Sequence, residues 1–204
     1  MMTAILTGDI VNSQKVDSKL WLKDLKAVLR KYGKNPYSWE IFRGDTFQLE
    51  VDAKNALLVA VVIKSHIKTY EQLDVRIAIG VGTTSYRSKK ITESSGEAYT
   101  NSGRCFENLK RNRLAIVTPW ADILDKEINL YLLLASLTMD SWTPATADTM
   151  AYALLHPQYN QKTISKKLKK SQSTISANLN RAGYEEVSKM ITRYQEMIIN
   201  IMDA

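Results

Sequence analysis

Ser38-Trp39-Glu40-Ile41-Phe42-Arg43-Gly44-Asp45-Thr46-Phe47-Gln48-Leu49-Glu50-Val51 is the stretch around which the rest of the chain organises. Two β-prone runs, 38–42 and 46–51, are separated by Arg43-Gly44-Asp45, a spacing that suits a hairpin with the aspartate near its tip. Immediately upstream, Gly33, Asn35 and Pro36 stop a pattern in which Leu20, Leu22, Leu25, Val28 and Leu29 recur at near-helical spacing, so an amphipathic helix precedes the hairpin. Before that helix, residues 3–8 form a short β-rich run ending at Gly8-Asp9, which reads as a buried strand.

Downstream, residues 52–70 read as a second helix, apolar on much of its surface. Val75-Arg76-Ile77-Ala78-Ile79-Gly80-Val81-Gly82 alternates as a strand does, residues 95–110 predict another helix, and 114–118 a last strand. The order β-α-β-β-α-β is that of a ferredoxin-like, palm-type sheet with helices on one face, an α+β architecture. After residue 118 the strand signals cease. Helices are predicted at 125–139, 144–155, 161–168, 172–181 and 184–202, with Trp120 and Trp142 at the joins. Two domains follow, a sheet domain over 1–120 and an all-helical one over 121–204, packed against each other because no low-complexity linker separates them.

Composition narrows the function classes. The 204 residues are 45% hydrophobic, enough for a substantial core. One cysteine, Cys105, excludes an intramolecular disulfide and a Cys-based zinc site, and His66 and His156 leave little for a His-rich one. The first residues lack the basic region of a secretory signal, and the apolar run 56–63 is far shorter than the roughly 20 residues that span a bilayer; a cytoplasmic protein without a membrane partner is expected. Of the net charge of +7, most is local: between Thr149 and Tyr184 there are six Lys or Arg residues and no Asp or Glu. A face lacking acids favours a polyanion.

That basic stretch has the pattern of a DNA-binding helix-turn-helix. In Gln161-Lys-Thr-Ile-Ser-Lys-Lys-Leu-Lys-Lys-Ser-Gln-Ser-Thr-Ile-Ser-Ala-Asn-Leu-Asn-Arg181, Ile164 and Leu168 share one helix face, as do Ile175 and Leu179 on the next. Ser165 supplies a small side chain where the helices cross, and Ser171 suits an N-cap for a helix starting at Gln172. Gln172, Ser173, Thr174, Ala177, Asn178 and Arg181 are then expected on the exposed face. The short polar ones suit base edges, while Lys166, Lys167, Lys169, Lys170 and Arg181 suit phosphates of double-stranded DNA. Similar stretches occur in many bacterial regulators; this one departs at Lys169 and Lys170, where a glycine and an apolar residue are common. The alternative is a helical pair with a solvated basic face. In the last helix, Val187, Met190, Ile191, Tyr194, Met197, Ile198 and Ile201 form one apolar stripe, either core or a dimerisation element.

Asp9 ends a strand and Asp45 sits in the hairpin turn, so the β-α-β-β unit is expected to bring both carboxylates to one end of the sheet, where such pairs hold Mg²⁺ beside phosphates. Each also suits a plain turn former.

Four blocks in order, Thr7-Gly8-Asp9-Ile10-Val11, Phe42-Arg43-Gly44-Asp45-Thr46-Phe47, Val75 to Gly82, and Gly96-Glu97-Ala98-Tyr99-Thr100-Asn101-Ser102-Gly103-Arg104, resemble those of class III nucleotide cyclases. The resemblance implies that Asp9 and Asp45, with the Ile10 carbonyl, hold Mg or Mn ions and that Arg104 stabilises charge on a nucleotide triphosphate. Ile41 stands where that family carries a base-selecting lysine. Its asparagine falls on Thr100, with Asn101 one place off, departures that imply weakened catalysis. Over the whole chain, including Asn129, Trp142-Thr143 and the C-terminal helix pair, the sequence resembles the SatD family of small bacterial proteins. That resemblance implies a cyclase-like domain joined to a DNA-binding one. The expected function is a homodimeric transcriptional regulator whose cyclase-like domain senses a nucleotide or metal or serves as a scaffold; the rival is an active cyclase or nucleotidyl-transfer enzyme.

Overall fold

Strand β1 (Met2–Val11) is apolar on both faces, Ala4, Leu6 and Ile10 alternating with Ile5 and Thr7, and a strand of that kind belongs at the centre of a sheet. A computed structural model describes residues 2–203 as a mixed α+β chain. In it β1 lies between β3 (Thr46–Asp52) and β4 (Asp74–Tyr86), antiparallel to both. β2 (Trp39–Phe42) pairs with β3 across the predicted hairpin, giving the order β2-β3-β1-β4. The two-residue β5 (Ser95–Gly96) pairs with the distal end of β4, and β6 (Leu114–Val117) runs parallel beside β4.

Helices α1 (Ser18–Leu29) and α2 (Ala56–Ile67) cover one face, burying Trp21, Leu25, Leu29, Leu57, Val61 and Ile63 with Leu6, Ile77 and Ile79 of the sheet. Helix α3 (Glu97–Asn108) packs on the other face, a correction to the one-faced arrangement predicted from sequence. The cause lies in the small residues of β4. A Cβ at Gly80 would stand 2.1 Å from the backbone nitrogen of Ser102, and one at Gly82 would stand 2.6 Å from that of Ala98, so only glycine lets α3 approach this closely. Ser102 Oγ donates to Thr7 Oγ1 at 2.7 Å and ties the helix to the central strand.

The helix predicted over 52–70 is shorter than expected. Asp52 still pairs with Thr3 in the sheet, and its side chain accepts from Lys54 N at 3.1 Å, so a 3-10 turn (Ala53–Asn55) intervenes before α2. Helix α4 (Ala121–Met139) begins earlier than predicted. Its Asn129 donates to the carbonyl of Ile116 and accepts from the Ile116 N–H, both at 2.9 Å, so a side-chain amide completes the ladder of the edge strand β6.

Four further helices follow: α5 (Pro144–Leu155), α6 (Gln161–Leu168), α7 (Gln172–Ala182) and α8 (Tyr184–Met202). One core runs from the sheet into them, taking in Ile128, Trp142, Met150, Val187, Ile191, Tyr194 and Ile198. The α8 stripe is therefore spent on its own chain, and Tyr194 Oη donates to the carbonyl of Ala53 at 2.6 Å. Lys64 of α2, fully buried, places Nζ 2.7 Å from both Asp74 at the start of β4 and Asp140 after α4. A buried cation is tolerable only with such partners, and here it pins the sheet to the α4–α5 junction. A smaller core of Ala153, Ile164, Ile175 and Leu179 joins α5, α6 and α7. Among the described residues no helix is long and apolar enough to cross a membrane.

Candidate nucleic-acid interface and the carboxylate pair

Helices α6 and α7 form because each has its own start signal. Asn160 Oδ1 accepts from Thr163 N at 2.9 Å, and Ser171 Oγ accepts from Thr174 N at 3.0 Å. Between them Lys169 adopts the left-handed conformation, φ 53°, where a glycine is the usual occupant, and the Ser165 carbonyl accepts from the backbone N–H groups of both Lys169 and Lys170. The departure noted in the sequence is thus absorbed by strain at one residue.

The first turn of α7 is exposed over Gln172, Ser173 and Thr174, with Ser171 Oγ lying 2.8 Å from both the Ser173 and Thr174 hydroxyls. Lys162, Lys166, Lys167, Lys169 and Arg181 are also exposed. Two predicted contacts are placed otherwise. Asn178 is buried: its Nδ2 donates to Thr149 Oγ1 at 3.0 Å and to the Ala145 carbonyl at 3.2 Å, clamping α7 onto α5. It is a packing residue, one helix face away from where its polarity suggested, because Ile175 and Leu179 beside it set the buried face. Lys170 forms an ion pair with Asp148 at 2.7 Å and so gives up part of its charge to its own chain. Sequence reasoning missed Asp148, which lies just outside the acid-free stretch, and also Asn180, which is exposed near the end of α7.

In the sheet, the structure brings Asp9, Ile10 and Asp45 together on the wall of a cavity of about 480 Å³. The N–H of Ile10 donates to the Asp45 carbonyl at 3.2 Å, and Ser13 Oγ donates to the Asp45 carboxylate at 2.7 Å. Arg104 does not line this cavity; it is exposed on α3, while Arg76 and Arg113 line it instead. Arg76 is the cross-strand partner of Asp9, donating from Nε to one carboxylate oxygen at 2.9 Å and from Nη2 to the other. This hydrogen bonding holds the guanidinium protonated more firmly than usual, and the Phe106 ring lies 5.7 Å from it. Both oxygens of Asp9 are thus satisfied by a side-chain cation. A divalent ion held by Asp9, Asp45 and the Ile10 carbonyl, as the cyclase resemblance implies, would share the Asp9 carboxylate with Arg76.

Asn101 is likewise turned to structure, donating from Nδ2 to the Val81 carbonyl at 2.8 Å, and Thr100 bonds back to the Gly96 carbonyl. Burial pushes the Cys105 thiol up to about 12, which leaves it a packing residue rather than a nucleophile. In comparisons with known proteins, no family model and no curated protein matches this chain.

Proposed function

We propose that the protein is a DNA-binding transcriptional regulator of the SatD type, in which α6 and α7 dock onto duplex DNA and the sheet serves as scaffold. The observation that carries this reading is the exposed polar start of α7, Gln172-Ser173-Thr174, flanked by exposed Lys166, Lys167 and Lys169. Three short or amide side chains at a helix N-terminus suit base edges, the helix dipole favours phosphate there, and the lysines add a cationic flank. The sheet order β2-β3-β1-β4 supports the ferredoxin-like, palm-type reading of the N-terminal part, and the satellite core under α5, α6 and α7 supports a helix-turn-helix. A homodimer would present two recognition helices to one site. The test is titration of the full chain into a fluorescent duplex of mixed sequence near 50 mM salt, a condition at which non-specific phosphate contacts are strong. Saturable binding supports the reading, and a flat titration overturns it.

A second reading, a Mg- or Mn-dependent nucleotide cyclase or nucleotidyl-transfer enzyme, draws on Asp9 and Asp45 sharing one cavity with Arg76, Arg113 and Lys15. The Arg76 pairing favours a nucleotide-sensing or purely structural role over turnover. Incubation with ATP or GTP and Mn²⁺ decides between them: cyclic product that an Asp45→Asn variant does not make establishes the enzyme.

A further inference from the structure

Lys170 sits in the turn between α6 and α7, directly before the exposed first turn of α7. Its backbone is fixed there, because its N–H donates to the Ser165 carbonyl at 3.0 Å. Its side chain leaves the helix pair and reaches across to α5, where Nζ donates to Asp148 Oδ2 at 2.7 Å. Among the described residues this is the one ion pair made by a cation of the 161–182 stretch; Lys162, Lys166, Lys167, Lys169 and Arg181 are exposed without such a partner. The two side chains are 28 and 44% exposed, and a surface pair of this kind contributes at most about 1 kcal/mol to stability. Its larger effect falls on what Lys170 is free to bind.

We infer that Asp148 takes the place of a DNA phosphate at Lys170, holding this one lysine out of the protein–DNA contact and so limiting the affinity of the α6–α7 face. This restraint rests on the DNA-binding reading of α6 and α7 and adds to it an internal competitor supplied by α5. Carboxylate and phosphate oxygens offer the ammonium the same kind of charged acceptor. Sharing it between them would press Asp148 against the DNA, like charge against like, so the lysine serves one or the other. A cation neutralised within its own chain releases no counterion from DNA and adds nothing to the salt dependence of binding. Removal of the carboxylate frees Lys170 for one further phosphate contact.

The test is the salt dependence of binding between the full chain and a fluorescent duplex of mixed sequence, at about pH 8. At that pH His66, whose buried imidazole is held below its ordinary value and feels the Asp148 charge, stays neutral in every variant. Asp148→Asn is expected to steepen the slope of log affinity against log salt by about 0.9 and to bind about eightfold more tightly than wild type near 0.1 M salt. Lys170→Gln is expected to keep the wild-type slope, and so is the double variant. Circular dichroism is expected to be unchanged in all three, since both side chains are partly exposed. Equal affinity and slope in Asp148→Asn and wild type overturn the inference and leave the DNA-binding reading standing. A steeper slope that persists in the double variant also overturns it, because Asp148 would then act as a general negative charge, as does a shallower slope in Lys170→Gln, because Lys170 would already be on the DNA. A wild-type protein that binds no duplex overturns the DNA-binding reading itself and this restraint with it.

Discussion

Asp9 and Arg76 face each other across the β1–β4 ladder as a two-point ion pair that satisfies both carboxylate oxygens. A divalent ion at Asp9 would meet the positive charge of a guanidinium already paired with that carboxylate. Arg76→Ala is expected to raise Mn²⁺ affinity at the Asp9–Asp45 end of the sheet at least tenfold over wild type, read by isothermal titration. Because the pair is partly solvent-exposed, the same change should cost only about 1 kcal/mol of stability. Equal Mn²⁺ affinity in the two proteins would show that Arg76 does not govern the site.

Asn178 should behave as a packing residue, not as a base contact. Asn178→Ala removes two hydrogen bonds between α7 and α5 and should cost about 2 kcal/mol, lowering Tm by about 5 °C. Duplex affinity measured well below Tm should stay within about twofold of wild type, as expected for a residue that makes no base contact. A large affinity loss with Tm unchanged would return Asn178 to the DNA-facing surface.

Lys169 pulls in two directions. Its left-handed backbone is a conformation in which glycine carries no Cβ penalty, so Lys169→Gly should stabilise the fold by about 1 kcal/mol. The same substitution removes an exposed cation and should weaken DNA binding. Thermal denaturation and duplex titration of this one variant are expected to move in opposite senses.

His66 makes stability pH-dependent. Burial first, and Lys31 second, hold its imidazole below the ordinary value, and its Nε2 has no hydrogen-bond partner. The folded chain thus binds the proton less readily than the unfolded chain, whose histidine titrates near 6.5, so the neutral form's advantage is complete above about pH 6.5 and is lost as pH falls below it. Between pH 7 and pH 5 the Tm of wild type should fall more steeply than that of His66→Leu. Parallel curves would remove His66 from the account.

Much of this organisation is legible in the sequence because it is local. The hairpin around Arg43-Gly44-Asp45, the bounds of α5, α6 and α8, and the caps at Asn160 and Ser171 follow from alternation, from 3.6-residue spacing and from capping chemistry. What was missed depends on register and packing at long range. Nothing local says that Arg76 stands opposite Asp9, since that needs the pairing of two strands far apart in sequence. The second layer of the sheet was signalled by Gly80 and Gly82, yet small residues in a strand are consistent with several causes until α3 is seen against them. Likewise only the fold shows that Leu130, Leu133, Leu134 and Leu137 lie on an uncovered side of α4.

The central claim is that the exposed lysines of α6 meet DNA phosphates. It is tested most directly by the slope of log affinity against log salt for wild type and for Lys166→Gln combined with Lys167→Gln. Each lost phosphate contact should reduce the slope by about 0.9, so the double variant should bind more weakly with a slope about 1.8 shallower. Identical affinity and slope in the two proteins would contradict the account.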